Sequence, residues 1–296
     1  MVALPPGFRE SFFPADEVPI HYVEGPCNGP PLLLLHGTAR DWNSFSVLLP
    51  RLSRFHIFIP DLRGHGASGR TPRSYRASQF ASDISEFVRA VVPPGPAVFG
   101  HSLGGIVALS VATQCQVSAL IIGDSMISPE NLANGIYHAI FVQLRDLLVH
   151  GGSLQEIAHG MGRIQLQLPG IDEPIAIADL PGNSPAVLTE WARSAMCTDP
   201  DVLRMAVEGS TYDRWQPESI LPRILCPVLL LQANPELDAL LTDADVATAK
   251  RLLPQVEHVK FPLLGHALFM QRPDPVLDAI TGFLYRHRGE FSAVTR

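Results

Sequence analysis

A serine between glycines, in the stretch AVFGHSLGGIVALS at residues 97–110, is the first candidate for chemistry in this sequence. It follows a short apolar run and precedes a longer apolar run of helical character. A nucleophilic serine stands clear of a sheet in a sharp strand-to-helix turn, where strand and helix approach closely and require small neighbours. Gly100 and Gly104 meet that requirement. The pattern therefore predicts Ser102 as a nucleophile, with the positive end of the following helix beside it for a developing oxyanion.

The elements that position this serine follow from an alternation of short apolar runs and helical patterns, which is typical of a sheet with helices packed on its faces. Several of the runs are apolar on both faces, as buried parallel strands are. The predicted fold class is therefore α/β, with a mostly parallel sheet and an antiparallel pair of strands within residues 8–26. The predicted strands are 31–37, 55–61, 97–102, 117–124, 226–233 and 256–262, and the predicted helices are 43–53, 78–92, 103–114, 243–253 and 274–286.

The alternation stops between Asp124 and Cys226, where only helical patterns remain, at 131–150, 153–168, 184–197 and 200–209. Because the strand pattern resumes at Cys226, we expect one core domain, residues 1–124 and 223–296, interrupted by a helical cap, residues 125–222. Open parallel sheets bind ligands at the carboxyl edge of their strands. We therefore expect the cap to lie over that edge.

Three motifs resemble those of the α/β-hydrolase family. GHSLG at 100–104 is similar to the family's nucleophile turn, LLLLHGT at 32–38 to its strand ending in His-Gly, and DLRGHGAS at 61–68 to its next strand-end loop. The resemblance extends through most of the chain, and its layout is similar to capped members of the (acetamidomethylene)succinate hydrolase type. It implies that the backbone N–H groups of Thr38 and Leu103 form the oxyanion hole. It also implies Gly37, Trp42 and His101 beside the substrate, with Trp42 in the wall of the acyl pocket.

A serine hydroxyl needs a base that removes its proton, and a histidine with a pKa near neutrality is the usual base. Of the eleven histidines, His266 follows the last predicted strand and precedes the last predicted helix. This is the position from which the resemblance implies that an imidazole reaches the serine. His36 and His65 are expected to brace loops, and His258 is expected to be structural.

The carboxylate that orients the base has three candidates. The resemblance implies an acid in the loop after strand 226–233, where Glu236 and Asp238 lie, or at the end of the preceding strand, where Asp124 lies. An aspartate at a strand end is better fixed than a glutamate in a proline-containing loop, and an imidazole needs a rigid partner. Asp124 is therefore favoured over Glu236, and Asp238 is the third choice.

Composition narrows the class of partner. The chain of 296 residues has a net charge of −7 and no cluster of lysines and arginines, which argues against nucleic acid and anionic membranes as partners. Its four cysteines form no CxxC pair, so no zinc site or disulfide framework is indicated. No apolar run approaches the ~18 residues of a membrane span, and the first residues lack a secretion signal. We expect a cytoplasmic protein with a small-molecule substrate, no metal and no organic cofactor, and a homodimer as the candidate oligomer.

A serine at the elbow favours acyl chemistry over the chemistry of family members that use aspartate or cysteine there. Cleavage of an ester, lactone or thioester is the leading hypothesis. Cleavage of an amide or of a carbon–carbon bond, a low-turnover ligand receptor, and cofactor-free lyase or oxygenase chemistry remain open. Candidate pocket residues are the apolar Phe141, Leu144, Met161, Ile164 and Leu168, and candidate partners of a substrate carboxylate are Arg145, Arg163, Arg193 and Arg204.

Overall fold

The computed structural model describes residues 2–128, 135–168, 172–180, 182–213 and 215–287. Eight strands form one sheet in the order β1-β2-β4-β3-β5-β6-β9-β10. β1 and β2 pair antiparallel, as do β2 and β4, and the other neighbours are parallel. The predicted α/β class is confirmed, as are the six predicted strands and the antiparallel pair. The strands are β1 Arg9–Pro14, β2 Pro19–Glu24, β3 Pro31–Leu35, β4 His56–Pro60, β5 Ala97–His101, β6 Ala119–Gly123, β9 Val228–Gln232 and β10 Val256–Lys260.

Helices cover both faces of the sheet because successive strand residues point to opposite sides. Leu33 and Leu35 pack in one core with α1, α2 and α8, whereas Leu32 and Leu34 pack in a second core with α9. Among the described residues, no helix combines the length and the apolarity needed to cross a membrane. The helices are α1 Ala77–Ala90, α2 Leu103–Val111, α3 Ile136–His150, α4 Leu154–Gly162, α5 Pro185–Met196, α6 Pro200–Val207, α7 Pro217–Ile220, α8 Asp243–Leu252 and α9 Pro273–Arg286.

The predicted helix at 43–53 is wrong. Two short 3-10 turns occupy its place, Trp42–Phe45 and Leu49–Leu52. Asp41 caps the first turn by accepting a hydrogen bond from the Asn43 N–H at 3.2 Å. Pro50, which lacks an N–H, is the second residue of the second turn, and a continuous helix through Pro50 would lose a backbone hydrogen bond.

The segment between β6 and β9 contains α3 to α7 and a small antiparallel pair, β7 Gln165–Leu166 and β8 Ile175–Ala176. The predicted helix 153–168 is too long, because α4 ends at Gly162 and the chain then pairs as β7. Glycines disfavour helices, and Gly160 and Gly162 fall in the last turn of α4. Residues 129–134, which include the start of the predicted helix 131–150, lie outside the described residues.

Polar contacts attach this segment to the sheet domain at several points. Tyr75 donates its hydroxyl hydrogen to Asp199 at 2.7 Å. Ser194 Oγ donates to the Ala39 carbonyl at 3.0 Å. An ion pair between Arg193 and Asp41 adds a charged contact, described with the cavity below. The segment is therefore held to the core through side chains of α5 and of the residue that caps α6.

Two buried histidines brace the loops after β3 and β4. His36 Nε2 accepts a hydrogen bond from the Leu62 N–H at 2.9 Å, so its proton lies on Nδ1, which donates to the Gly37 carbonyl at 2.8 Å. His65 Nδ1 donates to the Arg63 carbonyl at 2.9 Å. Burial lowers the pKa of both histidines, and that of His65 falls to about 3. Both side chains are therefore neutral at physiological pH.

We expect His65 to make the protein sensitive to acid. In the unfolded chain a histidine takes up a proton below pH ~6.5, whereas folded His65 stays neutral down to about 3, so falling pH favours unfolding. Asparagine at this position keeps an N–H donor near Nδ1 but does not titrate. Between about pH 7.5 and about pH 5.5, the free energy of unfolding of wild type should fall by about 1.4 kcal/mol more than that of His65→Asn. Urea unfolding at both pH values measures this, and parallel pH dependences would contradict it.

Candidate active site

Ser102 lies between β5 and α2 in a strained backbone conformation, with φ 55° and ψ −123°. A positive φ is rare for a residue other than glycine and has to be held by its surroundings. Here the Ser102 N–H donates to the Gly123 carbonyl at 3.0 Å. The Ser102 carbonyl accepts from the Gly105 N–H at 2.8 Å and from the Ser125 hydroxyl at 2.7 Å. The turn is therefore fixed on both sides of the serine.

The glycines around Ser102 are required by close backbone contacts. A Cβ on Gly100 would lie 2.1 Å from the Gly104 carbonyl oxygen, and a Cβ on Gly104 would lie 2.1 Å from the Leu35 carbonyl oxygen. A Cβ on Gly105 would lie 2.5 Å from the Ser125 Cβ. These contacts are the physical reason for the GHSLGG pattern, because helix α2 could not approach β3 and β5 with any larger residue.

His266 and Asp124 meet at the same edge of the sheet. His266 Nδ1 lies 2.7 Å from Asp124 Oδ2. Asp124 directly follows β6 and has no exposed surface, and its carboxylate also accepts three backbone N–H groups. These belong to Leu240 at 2.9 Å, Ala233 at 3.1 Å and Leu241 at 3.3 Å. Because a carboxylate only accepts hydrogen bonds, Nδ1 carries the histidine proton, and Nε2 of the neutral ring is left as an acceptor.

Ser102 and His266 line one cavity at the carboxyl edge of the parallel strands. Among the described residues, no hydrogen bond joins Ser102 Oγ to His266 Nε2. Catalytic hydrogen bonds are often long without substrate and tighten in the substrate complex. Ser102 and His266 therefore share one cavity, and Asp124 holds the imidazole of His266.

The other two candidate acids do not contact the imidazole. Glu236 is exposed. Asp238 accepts the backbone N–H of His266 at 2.6 Å and the Tyr137 hydroxyl at 3.2 Å, and burial raises its pKa. The Tyr137 ring centroid lies 4.7 Å from that of His266. Asp238 and Tyr137 therefore position the backbone and the ring of His266, a role that the sequence did not indicate.

His101 also supports His266. Burial lowers its pKa well below the ordinary value, so the ring is neutral. Its Nε2 lies 2.8 Å from the His266 carbonyl oxygen and must be the donor, since a carbonyl only accepts. The two rings are 4.7 Å apart between centroids. His101 lines the cavity. Its Nε2–H, however, donates to the loop that carries His266.

The two predicted oxyanion donors are Thr38 and Leu103. Thr38 follows a residue that touches Ser102, and Leu103 follows Ser102 directly. A Cβ on Gly37, which precedes Thr38, would lie 3.0 Å from Ser102 Cβ, and Leu103 is the first residue of α2. Neither the Thr38 N–H nor the Leu103 N–H donates to an acceptor within the described ranges. Two backbone donors are therefore free near Ser102, one of them at the positive end of a helix.

The cavity wall differs from the prediction at several positions. Trp42 does not line it; the chain turns at Ala39, whose φ is 57°, and the Trp42 indole packs in the core with Phe45. Of the predicted apolar pocket residues only Phe141 lines the cavity, and Leu144, Met161, Ile164 and Leu168 are buried elsewhere. The large apolar lining residues are Ile140, Phe141, Leu166, Ile177, Leu180, Trp191 and Met270. Most of them come from the segment between β6 and β9.

The arginines predicted to receive a substrate carboxylate are not in the cavity wall either. Three of them form ion pairs with acidic side chains, and the fourth is exposed; the four are Arg145, Arg193, Arg204 and Arg163. Arg40 lines the cavity instead. It lies two residues beyond Thr38, outside the LLLLHGT motif at residues 32–38.

Comparison with known proteins agrees with this architecture. A family model described as the alpha/beta hydrolase family matches residues 32–279. The chain belongs to the α/β-hydrolase family. It is therefore a hydrolase by family, and the eight-stranded sheet with helices on both faces is that of an α/β-hydrolase.

Individual relatives of this α/β-hydrolase are distant. The magnesium-chelatase 30 kDa subunit of Rhodobacter capsulatus is 38% identical, but only over 33% of this chain and 35% of that protein. The pimeloyl-[acyl-carrier protein] methyl ester esterase of Sodalis glossinidius is 26% identical over 85% of this chain and 92% of that protein. The solved structure of E-2-(acetamidomethylene)succinate hydrolase superposes with a TM-score of 0.72 at 19% identity, covering 94% of this chain and 99% of that one. At that identity the superposition shows the shared fold alone.

The close contact at Gly104 predicts opposite effects of alanine at two glycines. Gly104→Ala places a Cβ against the Leu35 carbonyl and should lower the free energy of unfolding by more than about 2 kcal/mol, or prevent folding. Gly282→Ala is the control, because it lies in α9 and its Cβ would have Arg286 Nη1 at 3.5 Å as its near neighbour. That change should raise the free energy of unfolding by about 0.5–1 kcal/mol. Equal stabilities of the two variants in urea unfolding would disprove the packing argument.

Proposed function

We propose that this α/β-hydrolase cleaves a carboxylic ester, lactone or thioester of a small molecule through an acyl-enzyme on Ser102. One observation carries the proposal. The Asp124 carboxylate lies 2.7 Å from His266 Nδ1, and His266 shares its cavity with a serine held at φ 55°. These are the parts that activate a serine hydroxyl: an acid that orients a base, and a base in the same cavity as the nucleophile.

In the acylation step, His266 Nε2 takes the proton of Ser102 Oγ while Oγ attacks the carbonyl carbon. The carbonyl oxygen becomes negative and is stabilised by the Thr38 and Leu103 N–H groups. The imidazolium that forms keeps its Nδ1–H on Asp124, whose negative charge stabilises it. His266 Nε2–H then protonates the departing alkoxide, phenoxide or thiolate, which leaves the acyl group on Ser102.

In the deacylation step, a water molecule replaces the leaving group and loses a proton to His266 Nε2 as it attacks the acyl carbon. The same two N–H groups stabilise the second oxyanion. Collapse of that intermediate returns the proton to Ser102 Oγ and releases the carboxylic acid. His101 and Asp238 act through the loop of His266, because both bind its backbone and neither binds Ser102.

The segment 125–222 is proposed as the cap that selects the substrate. It supplies Tyr137, Ile140, Phe141 and Leu166 to the cavity, whereas Ser102 and His266 belong to the sheet domain. A concave site that combines apolar side chains with several polar groups suits a small organic molecule. Ester chemistry is further supported by the Sodalis glossinidius relative, whose name is that of a methyl ester esterase.

The proposal predicts a burst of p-nitrophenol from p-nitrophenyl acetate or butyrate, followed by sustained turnover. The burst reflects accumulation of the acyl-enzyme on Ser102. Ser102→Ala should abolish the burst and reduce turnover on the order of 10⁴-fold or more, to the catalysis left by the oxyanion hole and binding. Stopped-flow absorbance measures both phases, and mass spectrometry of the quenched enzyme should find the acetyl group on the Ser102 peptide. Turnover near the wild-type rate in folded Ser102→Ala would refute the nucleophile.

The acid is tested by a matched pair of amides. Asp124→Asn removes the charge beside His266 Nδ1 and allows the wrong tautomer, so kcat should fall on the order of 10²- to 10⁴-fold. Glu236→Gln changes an exposed side chain and should leave kcat within about twofold of wild type. Steady-state kinetics with the same esters, after circular dichroism has established folding, gives both values. A large loss in Glu236→Gln with a small one in Asp124→Asn would reverse the assignment.

A further inference from the structure

Arg40 is a charged side chain in the cavity wall that the proposed mechanism does not use. It lies in the loop after β3, two residues beyond Thr38, and lines the same cavity as Ser102 and His266. Its guanidinium carbon is 4.5 Å from the ring centroid of Trp191, which lines the cavity as well. The aromatic face holds the guanidinium in place without using its N–H groups.

The guanidinium of Arg40 forms no hydrogen bond and no ion pair with any described residue. Arginine carries five N–H donors and is seldom buried without an acceptor. Burial lowers the pKa of Arg40 to about 10, so the group is still charged at neutral pH. Arg40 is half-buried, and Trp191 Nε1 beside it is a buried donor without an acceptor among the described residues. Two neighbouring donors thus lack a partner at one side of the cavity.

Nearby carboxylates do not serve as that partner, because Arg193 holds them. Arg193 lies 2.6 Å from Asp41 and 2.7 Å from Glu190. Glu190 Oε1 also accepts from the Asn43 amide at 2.6 Å. The charges of these two acids are therefore engaged by Arg193, and the positive charge of Arg40 is left for a ligand.

On the basis of the proposed esterase function, we infer that the substrate carries a carboxylate in addition to its ester, and that Arg40 binds this carboxylate. A guanidinium offers two parallel N–H donors that match the two oxygens of a carboxylate. The rest of the wall is mostly apolar, which suits a hydrocarbon chain between the two groups. The substrate class is thus the monoester of a dicarboxylic acid, or an ester whose alcohol bears a carboxylate.

Two substrate pairs test this inference, and each pair differs in one carboxylate. In the first pair, mono-p-nitrophenyl adipate and p-nitrophenyl hexanoate, the carboxylate lies in the acyl chain. In the second pair, 4-acetoxybenzoate and phenyl acetate, the carboxylate lies in the leaving group. The readout is the ratio of kcat/KM for the anionic ester to kcat/KM for its neutral partner. This ratio is compared between wild type and each variant, so that the intrinsic reactivities of the two esters cancel. In Arg40→Met the ratio should fall about 10- to 100-fold for at least one pair, the loss expected for a charge-assisted hydrogen bond.

Arg163→Met is the matched control, because Arg163 is exposed and does not line the cavity. Its ratio should equal that of wild type. Arg40→Lys keeps the charge but loses the planar fork, and its ratio should lie between those of wild type and Arg40→Met. Ratios in Arg40→Met equal to wild type for both pairs would overturn the inference.

A binding measurement separates failure of this inference from failure of the esterase proposal. Isothermal titration of monomethyl adipate into Ser102→Ala and into Ser102→Ala/Arg40→Met needs no turnover. Binding weakened about tenfold or more by the second change would support the Arg40 site, even if wild type hydrolyses no ester and the esterase proposal fails. Ester turnover by wild type with no effect of Arg40→Met on either the ratio or the binding would overturn the Arg40 site and leave the esterase proposal standing.

Discussion

The packing of α2 directly on the backbone of β3 and β5 is the constraint on which the rest of the site depends. Gly104 lies so close to the Leu35 carbonyl that a single added carbon would overlap it. This contact brings the first turn of α2 to the sheet edge and forces Ser102 into a positive φ. The strain persists because the surroundings over-determine it, including the hydrogen bond from Ser102 N–H to Gly123. A serine in the cavity wall and a helix N-terminus beside it are two consequences of one close approach.

A second constraint is the burial of the Asp124 carboxylate, which would be costly without hydrogen-bond donors. It has four: three backbone N–H groups from the loop after β9, and His266 Nδ1 from the loop after β10. The donors that make the buried charge tolerable also join three strand ends. Orientation of the imidazole is therefore a property of the folded sheet edge and not of any short stretch of sequence.

The parallel strands are predictable from the sequence, because buried parallel strands are apolar on both faces. The turn at Ser102 is predictable as well, because the glycines around it have a steric cause visible in their spacing. The preference for Asp124 over Glu236 used the same kind of reason, the rigidity of a strand end. Other features depend on contacts between distant segments, such as Arg40 with Trp191. No local pattern indicates them. The predicted helix 43–53 is wrong because the helical periodicity of that stretch runs across Pro50, whose missing N–H interrupts a helix.

The sheet domain and the segment between β6 and β9 contribute different parts of the site. Asp124 takes its donors from the loops after β9 and β10, so changes in the intervening segment leave the hydrogen bond between Asp124 and His266 in place. The cavity is different, since Tyr137 and Trp191 of that segment contact His266 and Arg40. Substitutions there would alter which molecules fit without removing Ser102 or its support. The sheet edge is constrained by backbone contacts, whereas the cavity wall is constrained by side chains alone. This difference between the two parts accounts for a fold shared at a TM-score of 0.72 with a hydrolase only 19% identical.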